Sequence, residues 1–204
     1  MNKKILKQNF LLFTYGCLIS FFSFLLIFLI EYSQESFIVN SSISLTSLLK
    51  SIFYCLCIAI VEEYIFRYLF LKSWLKNKYK PFNKNVLYLG LISSLIFGFL
   101  HLKLDEFPLF QINITLSGLS MFYATYKFRN ISIAIGMHFS WNFIQGVIFP
   151  FQGSGSNLEN IFIMENNAKI YYPEGSSYFI FAFILEIILI ILLYNYRKNK
   201  LLNR

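Results

Sequence analysis

The reading of this chain turns on LTSLLKSIFYCLCIAIVEEYIFRYLFL, residues 45–71. As a helix the stretch is long enough to cross a hydrocarbon core, which takes about 20 apolar residues. Yet it carries Lys50, Glu62, Glu63 and Arg67. A charge at the bilayer centre costs at least ~2.5–3.5 kcal/mol, so such residues turn toward a bundle interior and mark function. The stretch therefore reads as a transmembrane helix whose inner face bears chemistry.

Working outward, five more segments have the same apolar character. The predicted spans are Phe10–Ile30, Leu45–Leu71, Val86–Leu102, Phe107–Tyr126, Ile131–Phe149 and Tyr178–Tyr196. The fourth is the weakest, because Gln111, Asn113, Thr115 and Ser117 dilute it. The whole chain of 204 residues is 57% hydrophobic and only 14% charged, against about 25% charged in an ordinary soluble domain. One small core cannot hide so much apolar surface, whereas lipid covers it without penalty. The expected fold class is all-α: a polytopic membrane helix bundle of about six transmembrane helices, with residues 1–204 as a single membrane domain. The N-terminal apolar run is too long for a signal h-region and no small-x-small cleavage site follows, so it is expected to be a retained first helix.

The net charge of +8 raises the possibility of nucleic acid as a partner. The basic residues, however, lie between apolar runs. Lys3, Lys4 and Lys7 precede the first span, and Lys72, Lys76, Lys78, Lys80 and Lys84 join the second to the third. Lys127 and Arg129 join the fourth to the fifth, and Arg197, Lys198, Lys200 and Arg204 follow the sixth. None of these segments contains an acid. Glu31, Glu35, Asp105, Glu106, Glu159, Glu165 and Glu174 occupy the alternate loops, with Lys103 and Lys169 as their only cations. This is the positive-inside pattern, and it places both termini in the cytoplasm of a cell-membrane protein with no nucleic-acid partner. The longest outer loop, Pro150 to Ser177, contains Gly153-Ser154-Gly155-Ser156, a flexible composition. It is expected to be a slack connection rather than a lid. Cys17, Cys55 and Cys57 lie in apolar runs without metal-ligand spacing and read as packed apolar residues.

What remains inside the spans is short: Lys50, Glu62, Glu63, Arg67, Glu186 and both histidines, His101 and His138. Glu63 and Arg67, four apart with the acid first, share a helical face and can pair. Glu62 points about 100° away and lacks a sequence-local partner. A carboxylate held in low dielectric gains proton affinity, which suits a general base. The competing reading is a structural ion-pair network. His101 closes Phe97-Gly98-Phe99-Leu100-His101, where Gly98 permits close helix approach; alone it also reads as an interfacial histidine. His138 and Asn142, again four apart, form a donor pair suited to a developing oxyanion or to an interhelical hydrogen bond. Lys50 and Glu186, each a solitary charge, are expected to approach one another.

The order Glu-Glu-x-x-x-Arg, Phe-x-x-x-His, His-x-x-x-Asn resembles the CAAX protease and bacteriocin-processing (CPBP, or Abi) family of intramembrane glutamate-dependent endopeptidases. The motif-bearing core is residues 45–149. The resemblance implies that Glu62 and His101 activate a water, that His138 and Asn142 form the oxyanion hole, and that Glu63 and Arg67 support them. It implies no cofactor. Zinc is conceivable for a Glu/His/His set but not favoured, since no His-Glu-x-x-His exists here. Many family members carry glycine after the motif arginine, where this chain has Tyr68; that departure bears on substrate class. A composition rich in Phe, Ile, Lys and Asn fits an AT-rich bacterial source, so prenylated substrates are not expected. The implied substrate is a membrane-associated peptide or lipoprotein. Family branches also imply lipoprotein N-acylation, or a non-enzymatic bacteriocin-immunity role with a partner membrane protein.

Overall fold

The computed structural model of the chain describes residues 3–32, 37–39, 43–77, 83–101, 108–149, 159–164 and 173–202. Six helical rods account for nearly all of them. Helix α1 (Lys3–Ile27) runs on into a π-helical turn, Phe28–Tyr32. Helix α2 (Leu45–Glu63), a π-helical turn (Tyr64–Leu69) and α3 (Phe70–Lys76) form one continuous rod. Then follow α4 (Lys84–Leu100), α5 (Leu109–Phe128), α6 (Ser132–Phe143) with its π-helical turn Ile144–Ile148, and α7 (Phe179–Leu202).

Local sequence explains where the rods begin. Ser44 caps α2 by accepting from the Ser47 amide at 3.0 Å, and Asn83 caps α4 by accepting from the Val86 amide at 3.1 Å. Both side-chain oxygens satisfy a donor that the first helical turn leaves unpaired. Between α5 and α6 the chain reverses within three residues. Arg129 takes the left-handed conformation (φ 49°) that ends α5, and Asn130 Oδ1 accepts from the Ser132 amide at 2.8 Å to start α6.

Three rods are long and apolar enough to cross a membrane, Lys3–Glu31, Leu45–Lys76 and Phe179–Asn199, while Lys84–Leu100 is a shorter apolar helix. Their outer faces expose Phe10, Phe22, Phe53, Leu95, Phe99 and Leu192 among many others, a surface that only lipid can cover. Helix α6 exposes no large apolar residue among the described ones; it is an inner helix. Its closest neighbour is α1. A Cβ on Gly16 would lie 2.0 Å from the Ile133 carbonyl oxygen, and one on Gly136 would lie 2.1 Å from that of Phe13. The two backbones touch because neither glycine has a side chain, the small-residue packing that membrane helices use. Leu12, Ile19, Met121, Ala124, Ile133, Met137 and Ile190 fill the junction of α1, α5, α6 and α7.

The structure adds one short element to the all-α bundle and corrects two expectations. The loops contain a two-stranded antiparallel ribbon, β1 (Phe37–Val39) with β2 (Phe162–Met164), pairing Ile38 with Ile163. The segment 150–177 is not a slack connection in its described parts. Asn160 donates to the carbonyls of Gly146 and Phe149, Asn113 donates to those of Glu174 and Ser176, and Ser176 Oγ donates to Glu31. Gly153–Ser156 lies outside the described residues. Finally, Glu186 does not turn to Lys50. It is buried between α1, α5 and α7, hydrogen-bonded to Ser20 and Ser120, whereas Lys50 is exposed. Serine hydroxyls on neighbouring helices met the polar demand that a distant lysine was expected to meet.

Candidate active site

The cluster starts from a sealed ion pair. Arg67 Nη1 donates to Glu63 Oε1 at 2.9 Å, and both side chains are 0% exposed. The i, i+4 spacing sets this contact, and the π-helical turn that begins at Tyr64 carries Arg67 inward. Such turns are over-represented at functional sites. Arg67 Nη2 donates to the Gly118 carbonyl on α5 at 3.1 Å, and its guanidinium lies 4.7 Å over the Phe97 ring of α4. One cation thus ties α2, α4 and α5 together.

Glu63 also holds His138. The histidine Nδ1 lies 2.9 Å from Glu63 Oε1, and because that oxygen belongs to a carboxylate already paired with Arg67, Nδ1 is the donor. His101 is held in the same sense. It is the C-cap of α4, with Nδ1 2.8 Å from the Phe97 carbonyl, which can only accept. Gln111 on α5 fixes the same residue's backbone by donating to its carbonyl at 3.2 Å. Gly98 allows this, because a Cβ there would lie 2.1 Å from Thr115 Oγ1 on α5.

With both Nδ1 atoms occupied, both Nε2 atoms are left facing Glu62. Glu62 Oε2 lies 3.8 Å from His101 Nε2 and 3.7 Å from His138 Nε2, too far for direct hydrogen bonds. It has no hydrogen-bond partner of its own among the described residues. The cluster grades from sealed to open. Glu63 and Arg67 admit no solvent, whereas the Glu62 and His101 side chains are 26% and 33% exposed. Phe97 meets His138 edge-on, centroids 5.8 Å apart, and walls the inner side.

Of the residues singled out from sequence, Glu62, Glu63, Arg67, His101 and His138 converge. Asn142 lies one turn beyond His138 on α6 and is buried, but no hydrogen bond among the described residues ties its amide to the others. Tyr68 stacks on Tyr64, ring centroids 4.9 Å apart, away from the cluster. No group of three His, Cys, Asp or Glu among the described residues is placed to hold a metal ion.

Sequence reading missed two contributions. Gln111 was taken as dilution of a weak span, yet it is buried and orients His101; a polar side chain inside an apolar segment was itself the signal. Glu174 was taken as an outer-loop charge. It is buried, accepting from Trp141 Nε1 at 2.6 Å and Gln145 Nε2 at 3.1 Å, and so pins the loop to α6 on either side of Asn142.

The fold and site define a polytopic α-helical integral membrane protein with a carboxylate–imidazole cluster inside its bundle. Residues 44–144, which contain all six singled-out positions, match the family model described as Type II CAAX prenyl endopeptidase Rce1-like. That segment is a Rce1-like domain of the CPBP family, which supports a CAAX-protease-type intramembrane peptidase at family level. No curated protein and no solved structure matches the chain.

Proposed function

We propose that this protein is an intramembrane glutamate-dependent peptidase that hydrolyses a peptide bond in a membrane-associated peptide or lipoprotein. The observation that carries the reading is Glu62 Oε2, unpartnered and flanked by the Nε2 atoms of His101 and His138. Glu62 Oε2 and His101 Nε2 are both acceptors, so a water lodged between them donates one hydrogen to each and turns a lone pair outward. The water oxygen bonds to the substrate carbonyl carbon as Glu62 takes its proton, and the carbonyl electron pair becomes the oxyanion. Collapse re-forms the carbonyl, breaks the C–N bond and passes the proton to the leaving amine.

His138 has a defined condition for serving as an oxyanion donor. Its Nδ1 already donates to Glu63, so donation from Nε2 requires the imidazolium. Glu62 faces its Nε2 and Glu63 holds its Nδ1, so both ring nitrogens point at carboxylates. Asn142, on the same face, supplies the second donor. Asn142→Ala is expected to lower kcat about 10²–10³-fold with little change in KM; an unchanged kcat would remove Asn142 from the site. The scheme needs no metal.

Mass spectrometry of lipoproteins and secreted peptides from cells carrying the parent or the Glu62→Ala chain tests the function. Loss of specific cleavage products supports the peptidase. Loss of an N-acyl group instead assigns acyl transfer, and an unchanged profile leaves an immunity or partner-binding role. We also propose that the chain lies in the cell membrane with both termini cytoplasmic. Reporters inserted at Lys78 and Gly155 should then fall on opposite sides, and finding them on one side would overturn that topology.

A further inference from the structure

A polar cavity lies away from the cluster, among the helix ends that carry the cations. It encloses about 380 Å³ and is lined by Trp74, Tyr126, Lys127, Phe128, Arg129 and Tyr194, a size in the range of small-molecule sites. The last turns of α3 and α5 and the C-terminal half of α7 build it. Lys127 Nζ sits among three tyrosine rings, 5.2, 5.4 and 5.3 Å from the centroids of Tyr123, Tyr126 and Tyr194. Arg129 stacks 4.2 Å over the Trp74 ring and donates to the Asn77 carbonyl at 2.7 Å. Arg197 approaches from α7, 5.6 Å over the Phe128 ring.

Two features of this cavity lack a counterpart among the described residues. Ring faces hold Lys127 in place but leave its charge uncompensated, and no carboxylate among the described residues pairs with it. Trp74 is 2% exposed, and its indole N–H has no acceptor among the described residues; the indole can only donate. The cavity thus offers donors and positive charge and calls for an anion rich in acceptors. Its surroundings select among anions. The same helix ends carry Lys72, Lys76, Lys84 and Lys198, and Tyr196, two residues from Tyr194, is 60% exposed on an apolar face with Ile188 and Leu192. Trp and Tyr gather at the headgroup level of a bilayer, and basic pockets between helices bind anionic headgroups there.

We propose that this cavity takes the phosphodiester of an anionic phospholipid, with Lys127, Arg129 and the Trp74 N–H as its ligands. The occupant clamps α3, the continuation of the helix that carries Glu62 and Glu63, against α5 and α7. The test is native mass spectrometry of the full-length protein in a neutral detergent, titrated separately with phosphatidylglycerol, phosphatidylcholine and inorganic phosphate. Phosphatidylglycerol is expected to give a one-to-one adduct, with phosphatidylcholine at least about tenfold weaker and inorganic phosphate unable to displace the lipid. Lys127→Gln removes the charge. Trp74→Phe keeps an aromatic ring under Arg129 and removes the donor. Each should weaken the adduct about tenfold, with Glu62→Gln unchanged as a control. Equal binding of the two lipids, displacement by inorganic phosphate at matched concentration, or an adduct unaffected in both variants would overturn the proposal.

Discussion

Glu62→Gln should yield a protein that inserts and folds as the parent does but turns over substrate about 10²–10⁴-fold more slowly. Glutamine matches glutamate in shape and removes only the basic oxygen. Stability should hardly change, because Glu62 Oε2 has no hydrogen-bond partner to lose and the side chain is 26% exposed. Turnover should collapse, because a water between Glu62 and His101 then meets an amide instead of a base. The measurement pairs product formation in reconstituted vesicles with a thermal melt in detergent. A well-folded Glu62→Gln protein at full activity would reject the peptidase reading.

Arg67→Met should act on the opposite quantity. It keeps a long apolar side chain but leaves the Glu63 carboxylate at 0% exposure with His138 as its remaining described partner. Breaking a buried ion pair from one side typically costs about 3–5 kcal/mol. Contacts across the helices go as well, since Arg67 also reaches the Gly118 carbonyl and the Phe97 ring. The companion is Glu63→Leu with Arg67→Met, which removes both charges. The double variant should recover much of the stability yet stay inactive, because His138 Nδ1 loses its acceptor. Unfolding monitored by circular dichroism separates the two. An Arg67→Met protein within about 1 kcal/mol of the parent would show that the pair does not hold the bundle together, set against the ~3–5 kcal/mol expected of it.

Much was legible in the chain itself, because bilayer physics writes itself into composition. Long apolar runs could only be membrane helices, and the ionisable residues left inside them were few enough to single out. The Glu63–Arg67 contact followed from helical spacing alone, and the convergence of Glu62 with both histidines was anticipated from three motifs on three helices. The misjudged residues share a physical cause. Gln111, Glu174 and Glu186 were each assessed by polarity against their local segment, and their partners lie on other elements: the His101 carbonyl, Trp141 and Gln145, Ser20 and Ser120. A one-dimensional reading can say that such a group needs a partner, but not which one it finds.

The sequence by itself therefore determined the solvent, the all-helical class and the inventory of chemical groups, since each follows from local composition and spacing. Only the tertiary structure decided the directions. It set which nitrogen of each histidine is committed to a neighbour and which is left for Glu62, and how far each acid is closed to solvent. It also set which loop is tied down. These depend on backbone carbonyls and side chains brought together from distant parts of the chain. The close approaches that bring them together, α1 on α6 at Gly16 and Gly136 and α4 on α5 at Gly98, come from packing at positions where no side chain stands in the way.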